Sequence, residues 1–177
     1  MLINKELMKR FGIWPRNYDL TEVMNYVDLS EKIWIIPTIG YSQYEELQQQ
    51  VKDNNLTPEN STLLVEAIYP YLTMAVAYES CPILWGHLSE IGWTKGHSDN
   101  SESLSLKDMT YIQGHLHRQL EARKNFAIEW INDRLEYYPL IAQCTSCDCC
   151  CNNTAKLLQP NPWKQIYSTR RKNTNLK

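Results

Sequence analysis

The stretch LSLKDMTYIQGHLHRQLEARKNFAIEWINDRLEYYP, residues 104–139, decides the fold. Its apolar residues recur at steps of three and four, which predicts one long helix from Ser103 to Tyr138 that Pro139 ends. The predicted apolar stripe consists of Met109, Ile112, Leu116, Leu120, Ala127, Trp130, Ile131, Leu135 and Tyr138. Charged residues of both signs occupy the other side, as on a solvated surface. Such a helix cannot bury its stripe alone, so we expect earlier helices to pack on it.

The overall composition is that of an ordinary globular domain. The chain has 177 residues, of which 43% are hydrophobic and 21% charged, so it can form one domain with a core and an appendage. A net charge of −2 gives no global electrostatic footprint for nucleic acid. No apolar run approaches the roughly 20 residues of a membrane span, and the start MLINKELMKR lacks a signal-peptide core. We therefore expect synthesis in the cytoplasm and no membrane partner.

Three earlier helices are predicted. The first is capped by Asp19 or Thr21 and runs to about Ile36, and the second spans about residues 42–54. The third begins with Thr57 as its N-cap and Pro58 at its first position, and it is kinked by an internal proline. This third helix is almost wholly apolar and is expected at the domain centre. The predicted core comprises Leu64, Ile68, Leu72, Ala75, Leu116, Leu120 and Trp130.

These elements predict a mainly α fold: a compact helical bundle built on the long C-terminal helix. A helical domain over residues 1–142 is expected to start with an arm, residues 1–17. Residues 82–102 are expected to form a small inserted β-hairpin and loop, with Ile83–Trp85 and Ile91–Trp93 as its strands. The composition changes near Ala142, and the rest is an extended, Cys-rich and basic C-terminal tail, residues 143–177.

No catalytic constellation can be assembled from the sequence. It contains no phosphate-binding glycine loop, no dinucleotide fingerprint, no HExxH and no GxSxG. His115 and His117 are two residues apart on the long helix and point to different sides, so they do not form a joint metal site. We therefore expect a protein that is not an enzyme and needs no cofactor.

Five thiols lie within eight residues of the tail. Thiolates are preferred zinc ligands, but known sites pair a CxxC with a second pair set well apart in the sequence. The alternatives are oxidation or cross-linking between copies, and reduced thiols with no structural role. No metal site is therefore assigned, and the weak metal candidates are Cys144, Cys147, Cys149, Cys150 and Cys151.

The end of the tail has the chemistry of a docking segment. Trp163, Ile166 and Tyr167 are spaced so that one helical turn presents all three to a groove. Basic residues beside them would meet acidic groups of a partner and favour encounter and register. The predicted partner-binding residues are Trp163, Lys164, Ile166, Tyr167, Arg170 and Arg171.

The order of these pieces resembles the head–tail connector (portal adaptor) proteins of tailed bacteriophages, and more narrowly the first ring protein of crAss-like phages. The resemblance covers about Tyr18 to Ile141, and the Cys cluster departs from it. It is carried by the segments IIPTIGYSQYEELQQQV (35–51), LLVEAIYPYLTMAVAYES (63–80), HLSEIGWTKGHSDNSESLS (87–105) and HLHRQLEARKNFAIEWINDRLEYYPLI (115–141).

The resemblance implies a structural virion protein at the neck of the particle. Such adaptors form a homo-oligomeric ring, commonly of twelve copies, between the portal protein and the next tail or ring protein. DNA passes through their channel without sequence-specific binding. The alternative class is a small cytosolic zinc-binding regulatory or interaction protein that uses the Cys cluster.

Overall fold

The fold is described from a computed structural model, which describes residues 1–89, 92–95 and 106–141. In this part of the chain the protein is mainly helical, as predicted. We name five helices: α1 is Lys5–Phe11, α2 spans residues 23–39, α3 is Tyr41–Lys52, α4 spans residues 58–85 and α5 is Leu106–Asn132. A short 3₁₀ turn, Leu135–Tyr137, follows α5.

Helices α2 and α4 are each continuous but change their winding. In α2 a 3₁₀ turn Val23–Tyr26 leads into α-helix Val27–Ser30, π-helix Glu31–Ile35 and α-helix Ile36–Ile39. In α4 the α-helix Pro58–Leu63 is followed by π-helix Leu64–Ile68 and α-helix Tyr69–Trp85.

Each π segment ends two residues before a proline. A proline ring clashes with the carbonyl four residues earlier, which belongs to Ile33 for Pro37 and to Glu66 for Pro70. Both carbonyls lie inside the π segments, where the wider turn makes room for the ring. This helix was predicted to end at about Ile36, but α2 continues through Pro37 to Ile39. The helix ends because Gly40 adopts a φ of 82°, which suits glycine.

Helix α4 lies at the centre of the bundle. Its most extensive contact is with α5, and α1 and α2 pack against its other sides. As predicted, Thr57 caps its start by accepting a hydrogen bond from the Asn60 amide at 3.2 Å. The fully buried side chains of α4 include Leu63, Leu64, Ala67, Ile68, Tyr71, Leu72, Ala75 and Val76.

The predicted core is confirmed at six positions and is wrong at one. Leu64, Ile68, Leu72, Ala75, Leu116 and Leu120 are buried. Trp130 is only partly buried and packs against the outside of the core. The guanidinium of Arg134 covers the ring at 4.4 Å from its centroid. The ring is therefore covered in part by a cation–π contact at the surface and not by apolar side chains alone.

Several predicted elements end at other residues than expected. Helix α5 ends at Asn132 and not at Tyr138. Helix α4 continues through Pro82 to Trp85, so the predicted strand Ile83–Trp85 is helical; Leu84 packs against the core and favours the extra turn. The strands β1 (Gly86–Ser89) and β2 (Gly92–Lys95) pair antiparallel, with Ser89 opposite Gly92. The start of the predicted N-terminal arm packs in the core through Leu2, Ile3 and Met8.

Replacing a fully buried leucine of the α4–α5 contact should lower the stability of the fold. Leu120→Ala removes apolar contacts and leaves a cavity, which should lower the free energy of unfolding by about 2–5 kcal/mol. Leu29→Ala, at a leucine that is 43% exposed, is the matched control and should change it by less than about 0.5 kcal/mol. Urea unfolding measures both values. Equal effects would show that α5 does not pack on α4 through this side.

Candidate assembly surfaces

A buried carboxylate joins the N-terminus to helices α2 and α3. The Glu31 side chain is fully buried and accepts hydrogen bonds from the Leu2 backbone amide at 2.5 Å and the Tyr44 hydroxyl at 2.7 Å. The Met1 ammonium group lies 3.7 Å from the same carboxylate. Gln48 donates a hydrogen bond to the Tyr44 hydroxyl at 2.5 Å. Because both carboxylate oxygens are engaged, this group holds the structure together and is not an open acid or base.

The position of Glu31 follows from the sequence pattern of α2. Residues 23, 27, 31, 35 and 39 are four apart, and all five side chains are buried. Four of them are Val or Ile, so Glu31 occupies a core position. Sequence reasoning missed it, although a lone glutamate at a stripe position was the available signal. Burial and the Glu31 carboxylate together raise the pKa of Tyr44 well above its ordinary value.

Removing the tyrosine hydroxyl that donates a hydrogen bond to this carboxylate should lower the stability of the fold. Tyr44→Phe leaves a buried carboxylate without one of its donors, so we expect the free energy of unfolding to fall by about 1.5–3 kcal/mol. Tyr41→Phe removes a hydroxyl from a tyrosine that is 59% exposed and should have almost no effect. Chemical denaturation at neutral pH compares the two variants. If Tyr44→Phe is as stable as Tyr41→Phe, the network contributes no stability.

Helix α2 turns an apolar surface towards solvent. Leu29, Ile33 and Pro37 are exposed and lie four residues apart, and we call them the α2 face. Beside them Lys32 and Asp28 form a salt bridge at 2.6 Å. The two charges compensate each other, so the surface is apolar with little net charge. Apolar residues that recur on one helix side and face solvent are typical of a contact surface.

Helix α5 carries a second exposed apolar surface. Tyr111 is 72% exposed, Phe126 is 49% exposed and Ile112 is 38% exposed. Tyr111 and Phe126 are 15 residues apart, close to four helical turns, and therefore lie on the same side. Gly114 lies between them, and a Cβ atom added there would meet nothing within 4 Å. We call these four residues the α5 face.

The α5 face points away from helix α2. Lys124 of α5 places its Nζ atom 5.8 Å from the ring centroid of Trp34 in α2. Two residues along an α-helix correspond to a rotation of about 200°, so Phe126 lies on the opposite side of α5 from Lys124. Helix α2 thus contacts α5 on the side away from the α5 face, and the body presents two separate apolar surfaces.

Gly114 offers a direct test of the α5 face. Glycine inside a helix is less favourable than alanine, and no described neighbour requires its small size. Gly114→Ala should therefore raise the free energy of unfolding of the isolated chain by about 0.5–1 kcal/mol. Thermal and urea unfolding measure the change. A lower stability would mean that another part of the chain covers this position.

An open cleft lies on the N-terminal side of the body. Its volume is about 730 Å³, and it lies between the first residues, α1, α2 and the α3–α4 connection. Its lining residues are Met1, Leu2, Ile3, Asn4, Lys5, Leu7, Met24, Val51, Asn54, Leu56 and Tyr69. The cleft has the size of a ligand or peptide site, for which about 300–1,000 Å³ is usual.

The residues predicted to bind metal or partners lie outside the described residues. These are Cys144, Cys147, Cys149, Cys150 and Cys151 of the Cys cluster, and Trp163, Lys164, Ile166, Tyr167, Arg170 and Arg171 of the docking segment. Among residues 1–89, 92–95 and 106–141, no group of three or more His, Cys, Asp or Glu side chains is arranged to hold a metal ion.

Burial raises the pKa of the Cys81 thiol, which makes it less reactive. His115 is exposed, and the ring of His117 packs against Tyr78 with centroids 5.4 Å apart.

Comparison with known proteins assigns the chain to a family. Residues 35–151, about two thirds of the chain, match a family of unknown function, DUF6712, and the chain belongs to that family. No curated protein and no solved structure matches it.

Proposed function

We propose that this protein is a head–tail connector, a portal adaptor of a tailed bacteriophage that forms a ring between the portal and the next tail component. It is a structural virion protein and not an enzyme. In this proposal the architecture is a helical bundle on the long helix α5, with the hairpin as an insertion and residues 143–177 as an extended tail. The sequence resemblance supports the proposal, and so does the surface of the body.

The observation that carries the proposal is the presence of two separate apolar faces on one body. A ring needs a heterologous interface, in which one surface of a copy contacts a different surface of the next copy. The α2 face and the α5 face supply two different surfaces, because they lie on different helices and the α5 face points away from α2. Exposed aromatic and aliphatic side chains such as Tyr111 and Ile33 are suitable anchors for such a contact.

The proposed ring has twelve copies and surrounds the DNA channel at the neck of the particle, after synthesis in the host cytoplasm. The portal and the next ring or tail protein lie on its two sides. DNA passes without sequence-specific contacts. In the described part of the chain, no helix is both long and apolar enough to cross a membrane.

An interface variant tests the ring. Ile33→Glu places a charge on the α2 face, where it would be buried against the next copy without a partner. Incorporation into particles that lack the wild-type chain should fall by about ten-fold or more, which corresponds to about 1.4 kcal/mol or more per contact. Ile13→Glu is the matched control, since Ile13 is 56% exposed and lies on neither helix. Quantitative mass spectrometry of purified particles measures incorporation.

Circular dichroism and melting of the isolated variants separate assembly from folding. Both variants should fold like the wild type, because both side chains are exposed in the single chain. Normal incorporation of Ile33→Glu, or one copy per particle for the wild type, would contradict the ring.

A further inference from the structure

The cleft has an apolar floor with no partner among the described residues. Leu7, Met24, Val51 and Leu56 each line it and are only partly buried against the core behind them. They come from four different parts of the chain, so their joint exposure is not a feature of one helix. Several large apolar side chains that share one open cleft form a binding surface for another apolar group.

Both cations on the wall of the cleft are already paired. Lys5 donates a hydrogen bond to the Thr21 hydroxyl at 2.8 Å and lies 4.0 Å from Asp19. The Met1 ammonium is paired with Glu31. Beyond Met1 and Val51 the cleft continues into a polar groove that Glu45 and Lys52 line. Both side chains are exposed and form no salt bridge with a described residue, so Glu45 offers a negative charge to a cation and Lys52 adds a positive charge beside it.

The last described residues are bonded to the chain segment that follows Leu56 of the cleft. The Tyr138 hydroxyl donates a hydrogen bond to the Glu59 carbonyl at 2.9 Å, and Ile141 is buried in the core. Glu59 is three residues from Leu56, a distance of at most about 11 Å along the chain. Residue 163 follows Ile141 by 22 residues, which can span up to about 70 Å. The docking segment can therefore reach the cleft of its own chain.

Charge is divided unequally between the two parts of the chain. Residues 1–142 contain 12 Lys and Arg against 19 Asp and Glu, and residues 143–177 contain 6 against 1. The body is thus net acidic and the tail net basic, so electrostatic attraction brings the tail towards the body. The apolar residues Trp163, Ile166 and Tyr167 sit within this basic segment and match the apolar floor of the cleft.

We propose that the cleft is the docking site of the chain's own C-terminal segment, with Trp163, Ile166 and Tyr167 on the floor formed by Leu7, Met24, Val51 and Leu56. Lys164 lies next to Trp163 in the sequence and meets Glu45 at the rim. The attachment is intramolecular, and the short path from Ile141 gives the segment a high effective concentration at the cleft. This contact does not depend on the ring. Cross-linking of the isolated chain tests the docking, and incorporation into particles tests the ring.

Site-specific photo-cross-linking in the full chain tests this docking. p-Benzoylphenylalanine is introduced at position 56, and in a second protein at position 51, so that a folding defect at one position leaves the other usable. After irradiation of dilute protein, peptide mass spectrometry should find cross-links from both positions to residues 160–172. The same group at position 33, on the α2 face, is the matched control and should not cross-link to this segment.

Two further experiments identify the residues that dock in the cleft and the chain to which they belong. Replacing Trp163 and Tyr167 together by Ser should lower the cross-link yield on the order of ten-fold, because these are the anchors. Replacing Leu157 and Leu158 together by Ser should leave it unchanged. A mixture of ¹⁵N-labelled and unlabelled chains should give cross-links only within one isotope. Absence of tail cross-links at both positions, equal yields at position 33, or mixed-isotope products would each overturn the proposal.

Discussion

The structure depends on the burial of one helix that has no polar side. The middle of α4, residues 67–77, is buried on every face, so the helix must be surrounded. Helices α1, α2 and α5 form this cover. The few polar atoms of α4 are used to attach it: the Tyr71 hydroxyl donates to the Trp34 carbonyl at 3.2 Å, and the Thr73 hydroxyl donates to the Phe11 carbonyl at 3.2 Å. These bonds connect α4 to α2 and to the end of α1.

The packing of α2 against α4 depends in turn on the hydrogen bonds of the buried Glu31 carboxylate. Helix α2 turns a stripe with a four-residue repeat inwards, and its π segment keeps that repeat on one side. Glu31 falls on the stripe and needs donors, which the first residues and α3 supply. The N-terminus is therefore held against the body, and it forms one wall of the cleft. One buried carboxylate thus fixes both the packing of α2 and the shape of the cleft.

The sequence predicted those features that depend on local periodicity. The mainly helical class, the central position of α4 and the Thr57 cap follow from apolar spacing and cap chemistry, and all three are observed. The strand predicted at Ile83–Trp85 was wrong, because Pro82 lies in the last turns of α4 and does not end the helix there. Trp130 and Glu31 were missed because exposure and polar pairing depend on contacts between distant segments. The exposed α2 face was missed for the same reason, since helical spacing does not say which side a neighbour covers.

The body carries the two apolar faces proposed for the ring and the cleft proposed for the tail. Among the apolar side chains that the core leaves exposed or partly exposed, those of the α2 face, the α5 face and the cleft floor are grouped into surfaces. The most direct measurement is an electron microscopy map of assembled particles that contain this chain. We expect a closed ring at the neck in which Ile33 of one copy packs near Tyr111 of the next. A single copy, or a ring in which both side chains face solvent, would contradict it.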